Sequence, residues 1–203
     1  MKLICIGRNY TDHIAELKNE KPEHPVVFIK PDSAILLQKM PFVIPTFSND
    51  IHHEVEVLVK INKLGKHIDT KFAHKYYDEI GLGIDFTARD VQNELKQKGL
   101  PWEKAKSFDG AALIGDWISK ADIKDIADLS FSLSKNGKIV QQGQSSHMLW
   151  NIDEIIAYVS QYFTLKIGDI IFTGTPAGVG PVASGDQLVG ELEGHQLFSI
   201  KVK

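Results

Sequence analysis

A single cysteine, Cys5, stands in the 203 residues, which excludes an intramolecular disulfide and any cysteine-based zinc cluster. A metal would have to be held by oxygen and nitrogen donors. Long apolar runs are missing as well. The opening Met1-Lys2-Leu3-Ile4-Cys5-Ile6-Gly7-Arg8 is too short an apolar run for a signal peptide, and no stretch approaches the length of a membrane span. Nor is there an excess of positive charge: 23 Lys and Arg stand against 26 Asp and Glu, for a net charge of -3. The basic residues are scattered, which argues against a nucleic-acid footprint and a polybasic membrane patch. A small molecule is the default partner and the cytoplasm the simplest location.

What is present is enough apolar content, 43%, to bury a full core as one domain over residues 1–203. The central stretch is Ile51-His52-His53-Glu54-Val55-Glu56-Val57-Leu58-Val59-Lys60. Read as a strand, it turns Val55, Val57, Val59 and Ile61 to one side and Glu54, Glu56, Leu58 and Lys60 to the other. The two glutamates then sit roughly 7 Å apart at about 3.3 Å per residue. Alone, this is equally a strand with one wet face. A third carboxylate aimed at the same place would change that reading.

Asp85 is the candidate. It lies in Ile80-Gly81-Leu82-Gly83-Ile84-Asp85-Phe86, an apolar strand in which a lone aspartate is costly to bury unpaired. Thr87-Ala88-Arg89-Asp90 then resembles a capping box opening a helix, which would set Asp85 beside backbone amides that favour anions. Lys106, between small or apolar neighbours, also calls for an anion. Two carboxylates about 7 Å apart repel by roughly 2 kcal/mol at an effective dielectric near 20. A third multiplies that cost, and a cation removes it.

Elsewhere, Leu3 to Ile6 reads as a buried strand and Asp12 to Leu17 as a short helix with His13 and Glu16 on one face. Residues 20–25 form a proline-punctuated connector, so this helix could move. Val26 to Pro31 and Ser33 to Leu37 read as strands, and Thr70 to Tyr77 as a short helix. Asn136-Gly137 marks a hairpin and Asn151 to Ser160 an amphipathic helix. Gly168 to Pro181 is a strand running into a glycine-rich loop that can offer amides and the Thr175 hydroxyl to a carboxylate.

In this order, Gly7-Arg8-Asn9-Tyr10 with His13 and Glu16, Phe28-Ile29-Lys30-Pro31, His53-Glu54-Val55-Glu56, Gly83 to Asp90, Lys104 to Asp109 and Phe172 to Gly180 resemble the fumarylacetoacetate hydrolase family. The likeness covers nearly the whole chain. It is greatest to the short acylpyruvase and oxaloacetate decarboxylase type. The resemblance implies a mixed α/β, mainly β fold: a β-sandwich roll with peripheral helices and an N-terminal lid helix, the lid spanning about residues 8–25. It implies a homodimer and a Mg2+ or Mn2+ ion on Glu54, Glu56 and Asp85. It also implies a His13–Glu16 dyad on the lid and polar contacts from Arg89, Gln92, Lys106 and Thr175. A proline-containing turn common after Phe108-Asp109 in the family is absent here.

The chemistry that follows is cleavage of a carbon–carbon bond in an acylpyruvate. His13, oriented by Glu16, activates water against the distal carbonyl. Pyruvate enolate leaves, stabilised by the metal and Lys106, with Thr175 and the Gly174 loop gripping a carboxylate. The same residues could serve oxaloacetate decarboxylation or the tautomerisation catalysed by 2-hydroxyhepta-2,4-diene-1,7-dioate isomerases. A catalytically silent, metal-stabilised scaffold is the alternative from another class, and it would have no use for His13 and Glu16.

Overall fold

Runs of β-branched and aromatic residues, broken by Gly, Pro and Asn-Gly turns, dominate the chain. The computed structural model describes residues 1–16, 21–37 and 40–203 and folds these runs mainly into strands. β1 (Lys2–Gly7) leads into the short helix α1 (Thr11–Glu16), followed by β2 (Val26–Pro31) and β3 (Ile35–Leu36). Next come β4 (Ile51–His53), β5 (Val55–Ile61), α2 (Thr70–Ala73), β6 (Tyr77–Asp85) and β7 (Thr87–Ala88). Helices α3 (Arg89–Gln97) and α4 (Glu103–Lys106) precede β8 (Ala112–Ser119), β9 (Ser130–Lys135) and β10 (Lys138–Gln144). The remaining elements are α5 (Ile152–Tyr162), β11 (Ile170–Phe172), β12 (Gly180–Pro181), β13 (Gln187–Leu192) and β14 (His195–Lys201).

Seven strands form a curled main sheet in the order β2-β1-β11-β5-β6-β8-β3. The β1–β11 and β3–β8 pairs are parallel and the others antiparallel. A second sheet, β10-β9-β13-β14, packs against β5, β6 and β8, and β12-β4-β7 form a small third sheet. Val55, Val57, Val59 and Ile61 point into the core between the sheets, with Ile80, Leu82, Ile84, Leu133, Leu188 and the inner face of α5. Leu58 points the other way, into a second apolar cluster with Leu3, Cys5, Ala112, Ile170 and Phe172. β5 is therefore buried on both faces, so the glutamate side of this strand is not wet.

Several local expectations are corrected. The strand expected over Ile51–Lys60 breaks at Glu54: β4 joins the third sheet and β5 the main one. The physical cause is a side chain from another sheet, because Gln141 Oε1 takes the Val55 amide at 3.0 Å. Ser33 to Leu37 is not a continuous strand, since Asp32–Ala34 is a 3-10 turn. The helix expected over Thr70–Tyr77 stops at Ala73, with Tyr77 opening β6. Thr87 is not a cap: α3 starts after Ala88 without a side-chain cap, and the Thr87 hydroxyl accepts from Lys106 at 2.6 Å.

Other readings match. The Asn136-Gly137 turn has both residues at positive φ and joins β9 to β10. α5 carries a full capping box between Asn151 and Glu154 and buries Ile152, Ile155, Ile156 and Val159. Of the segment read as a lid, α1 is described, while residues 17–20, including Leu17 and Glu20, lie outside the described residues. No helix among the described residues is long and apolar enough to cross a membrane.

Candidate active site and metal centre

β5 and β6 run antiparallel with Glu56 opposite Gly83, and the Asp85 amide donates to the Glu54 carbonyl at 2.8 Å. This pairing gathers three carboxylates: Glu56 on β5, Glu54 at the break just before it, and Asp85 at the end of β6. One oxygen each from Glu54, Glu56 and Asp85 lies within 4.8 Å of the others, all three side chains being buried. They line a polar cavity of about 40 Å³ together with Arg8, His13, Phe28, Arg89, Gln92, Lys96, Lys106 and Thr175.

Buried carboxylates must be matched by charge or lose their protons only at high pH. Lys106 Nζ donates to Glu54 Oε2 and Asp85 Oδ2, each at 2.8 Å, and to Thr87 Oγ1, so its three N–H bonds are all engaged. Arg89 pairs with Glu54 and donates to Gln92 Oε1 at 2.6 Å. Lys30, fully buried, lies 2.7 Å from Asp85 Oδ1 and donates to the carbonyls of Lys106 and Ala111. The Lys30–Asp85 contact is an ion pair without hydrogen-bond alignment, which leaves Asp85 Oδ1 with no hydrogen-bond donor. The anion-stabilising groups at Asp85 are therefore two ammoniums, not the helix N-terminus expected from the sequence.

These contacts leave the triad unequal. Burial opposes ionisation of Glu54, yet the Coulombic pull of Lys106 and Arg89 holds its carboxyl well below the usual range. Burial together with the charges of Asp85 and Glu54 pushes Glu56 well above it, against a weaker opposing pull from Lys106. Its direct donor is a neutral one, the Gly174 amide at 2.7 Å. Gly174 adopts φ +100, and a Cβ there would meet the Asn9 side chain at 2.8 Å, so the loop passes close enough only as glycine. An under-compensated carboxylate, an Asp85 oxygen lacking a donor and an all-oxygen ligand set together fit a hard divalent cation.

His13 and Glu16 come together as their three-residue spacing requires. Nδ1 lies 3.2 Å from Glu16 Oε2, and Glu16 Oε1 accepts the Gly178 amide at 3.0 Å. The helix carrying the dyad is thus fastened to the glycine loop. Because a carboxylate only accepts, Nδ1 carries the imidazole proton and Nε2 keeps its lone pair. Burial lowers the His13 pKa below its ordinary value, against the opposing pull of Glu54 and Glu16. His13 is neutral at neutral pH.

The ten residues singled out from the sequence are brought together here, the His13–Glu16 pair as anticipated and several others with different contacts. Gly174 gives its amide to Glu56, and Arg89 and Lys106 are committed to carboxylates of the wall. Sequence reasoning passed over Lys30, Arg8, Lys96 and Gln141. For Lys30 a signal existed: it is the one charge in the apolar run Val26–Pro31. Arg89, Gln92 and Lys96 are spaced i, i+3 and i+7 on α3, which puts them on one helical face.

Comparison with known proteins follows the same lines. The family model for the fumarylacetoacetate (FAA) hydrolase C-terminal domain matches residues 2–201. The chain is 42% identical over 197 residues to oxaloacetate tautomerase YcgM of Escherichia coli, covering 97% of this chain and 90% of that protein. It is 44% identical over 185 residues to the mitochondrial oxaloacetate decarboxylase of Dictyostelium discoideum, covering 91% and 85%. Among solved structures, a fumarylacetoacetate hydrolase family protein from Yersinia pestis superposes with a TM-score of 0.96 at 39% identity, covering 100% of this chain and 93% of that one. Fumarylpyruvate hydrolase from Pseudomonas aeruginosa, in complex with Mn2+ and pyruvate, superposes with a TM-score of 0.93 at 31% identity, covering 100% and 89%.

Proposed function

The chain belongs to the fumarylacetoacetate hydrolase family, and from that premise we propose that it enolises a small 2-oxo dicarboxylic acid of the oxaloacetate type. Proton return to oxygen completes a tautomerisation; breaking the C3–C4 bond of the keto form, in place of C3–H, reaches a pyruvate enolate by decarboxylation at the same site. This reverses the order suggested by the sequence, where acylpyruvate hydrolysis came first. The Escherichia coli and Dictyostelium discoideum relatives, each matched over nine-tenths of the chain or more, are named for oxaloacetate.

The observation that carries the proposal is the charge on the cavity. Three buried cations, Lys30, Lys106 and Arg89, pair with Glu54 and Asp85 of the triad. Arg8 and Lys96, both half-buried, line the same cavity and bring two further basic side chains to it. A substrate with two carboxylates suits a cavity lined by these basic side chains better than one with a neutral acyl group.

Glu54, Glu56 and Asp85 would hold Mg2+ or Mn2+, which when bound supplies Lewis acidity to the carboxylate and 2-oxo oxygens of the substrate. His13 Nε2 takes the C3 proton, and Glu16 on Nδ1 stabilises the imidazolium that results. Return of that proton to the 2-oxo oxygen gives the enol and leaves the site unchanged. In decarboxylation the C3–C4 electron pair supplies the enolate instead, carbon dioxide leaves and a proton is delivered to C3. Lys106 pairs with Glu54 and Asp85 and holds their carboxylates in place, while Arg89, Gln92, Thr175 and the Gly174 loop receive the substrate carboxylates. The helix bearing His13 acts as a lid over the one catalytic domain.

Hydrolysis of a fumarylpyruvate-like substrate is the second reading, favoured by the Pseudomonas aeruginosa enzyme with Mn2+ and pyruvate. A homodimer is proposed as well. Its candidate face is the groove lined by the exposed Leu37, Met40 and Val43. The deciding experiment follows the ultraviolet absorbance of enol-oxaloacetate beside pyruvate release, with Mg2+, with Mn2+ and with excess chelator. Acceleration of enol decay that chelator abolishes is expected. Activity on fumarylpyruvate alone would replace the proposal with its second reading, and chelator-insensitive turnover would remove the metal from it.

A further inference from the structure

Gln141 lies on β10, in the second sheet, yet its amide is spent on the residues flanking Glu54 and on the loop that carries Thr175. It is 1% exposed. Oε1 accepts from the Val55 amide at 3.0 Å and lies 2.9 Å from His53 Nδ1. Nε2 donates to Thr175 Oγ1 at 2.8 Å and to the Pro176 carbonyl at 3.0 Å. The two backbone partners settle which end is which, since an amide N–H only donates and a carbonyl only accepts. His53 must then carry its proton on Nδ1.

A second consequence concerns Thr175. Its oxygen already accepts from Gln141, so its own hydrogen points away from that residue. Thr175 is 3% exposed and borders the cavity. A substrate carboxylate offers only acceptors, and a hydroxyl meets it productively only as a donor. We infer that Gln141 is a positioning residue: it holds the Thr175 hydroxyl in its donating orientation toward a substrate carboxylate. The same side chain interrupts the strand at Glu54 and braces the glycine loop, so the metal wall and the carboxylate contact are set by one amide. This rests on the reading above that Thr175 touches the substrate.

The isosteric Gln141→Glu variant inverts the arrangement. Its second oxygen accepts where Nε2 donated, and the Thr175 hydroxyl turns toward it, away from the substrate. KM for oxaloacetate and the Kd for pyruvate, both with Mg2+, should rise about ten- to hundredfold, the weight of a hydrogen bond to a charged group. kcat should change far less, because such a contact is made equally in ground and transition states. Thr175→Val should produce the same rise, and adding Gln141→Glu to it should produce no more. Gln141→Met removes the constraint without inverting it and should raise KM less than Gln141→Glu.

A Thr175→Val enzyme with unchanged KM and Kd overturns the substrate contact and the inference with it. A Thr175→Val enzyme with raised KM beside a Gln141→Glu enzyme with normal KM leaves the contact standing and overturns the role of Gln141. Penalties that add fully in the double variant overturn it too. If Gln141→Glu does not fold, Gln141→Met with and without Thr175→Val makes the same comparison, and additive penalties there count against the inference.

Discussion

Replacing Lys30 with methionine keeps the length of the stem and deletes the ammonium. Lys30 Nζ lies 2.7 Å from Asp85 Oδ1, an attraction of at most about 6 kcal/mol at an effective dielectric near 20. Breaking a buried pair by removing one partner costs about 3–5 kcal/mol after desolvation is counted. Lys106 still reaches Asp85 Oδ2 at 2.8 Å, which favours the lower end. The carbonyls of Lys106 and Ala111 lose a donor, which adds about 1 kcal/mol or more. The expected loss is about 4 kcal/mol, or roughly 8–16 °C in Tm for a domain of this size. Urea unfolding in excess chelator measures it. Repeated in saturating Mn2+, the loss should shrink, because a cation on the triad takes over part of the charge that Lys30 balanced. By linkage, the variant should bind Mn2+ more tightly than the parent. A loss below about 1 kcal/mol in chelator, or the same loss with and without Mn2+, would refute the reasoning.

Three other outcomes are expected. His13→Ala should lower enolisation by about 10²- to 10⁴-fold while Mn2+ affinity by calorimetry stays unchanged; in the parent, the neutral base persists above pH of about 6.5. Because burial lowers the His13 pKa, activity should be lost only as pH falls through a value below that, and any stability contributed by the neutral ring disappears in the same window. Glu56→Gln should weaken Mn2+ binding at least about tenfold, near 1.4 kcal/mol, yet raise the urea midpoint in chelator, since it removes an under-compensated buried charge. Arg8→Gln and Lys96→Gln should each raise KM for oxaloacetate about tenfold or less while pyruvate, with one carboxylate, binds nearly as before; equal losses for both ligands would remove the rim cations from substrate recognition.

Much of the fold could be read because local signals agreed with the tertiary outcome. The alternation from Val55 to Ile61, the Asn136-Gly137 turn and the Asn151–Glu154 cap each encode structure within a few residues. The carboxylate triad was legible for a different reason: unpaired acids in apolar strands are costly, so their presence signals a partner. What was not legible depends on distant residues. The break at Glu54 is made by Gln141, 86 positions from Val55, and nothing near Glu54 announces it. Thr87 resembled a cap because its neighbours fit the pattern, but a buried ammonium claimed its hydroxyl. The second face of β5 looked wet because its glutamates are charged; burial on that side comes from β1, β8 and β11.

Exchange of the C3 hydrogens of oxaloacetate in deuterated water, followed by proton NMR, tests most directly the claim that this site enolises a 2-oxo dicarboxylic acid. With Mg2+, the enzyme should exchange them much faster than Mg2+ alone, and both chelator and His13→Ala should return the rate to that background. Exchange no faster than Mg2+ alone, in a protein shown to bind the ion, would contradict the account.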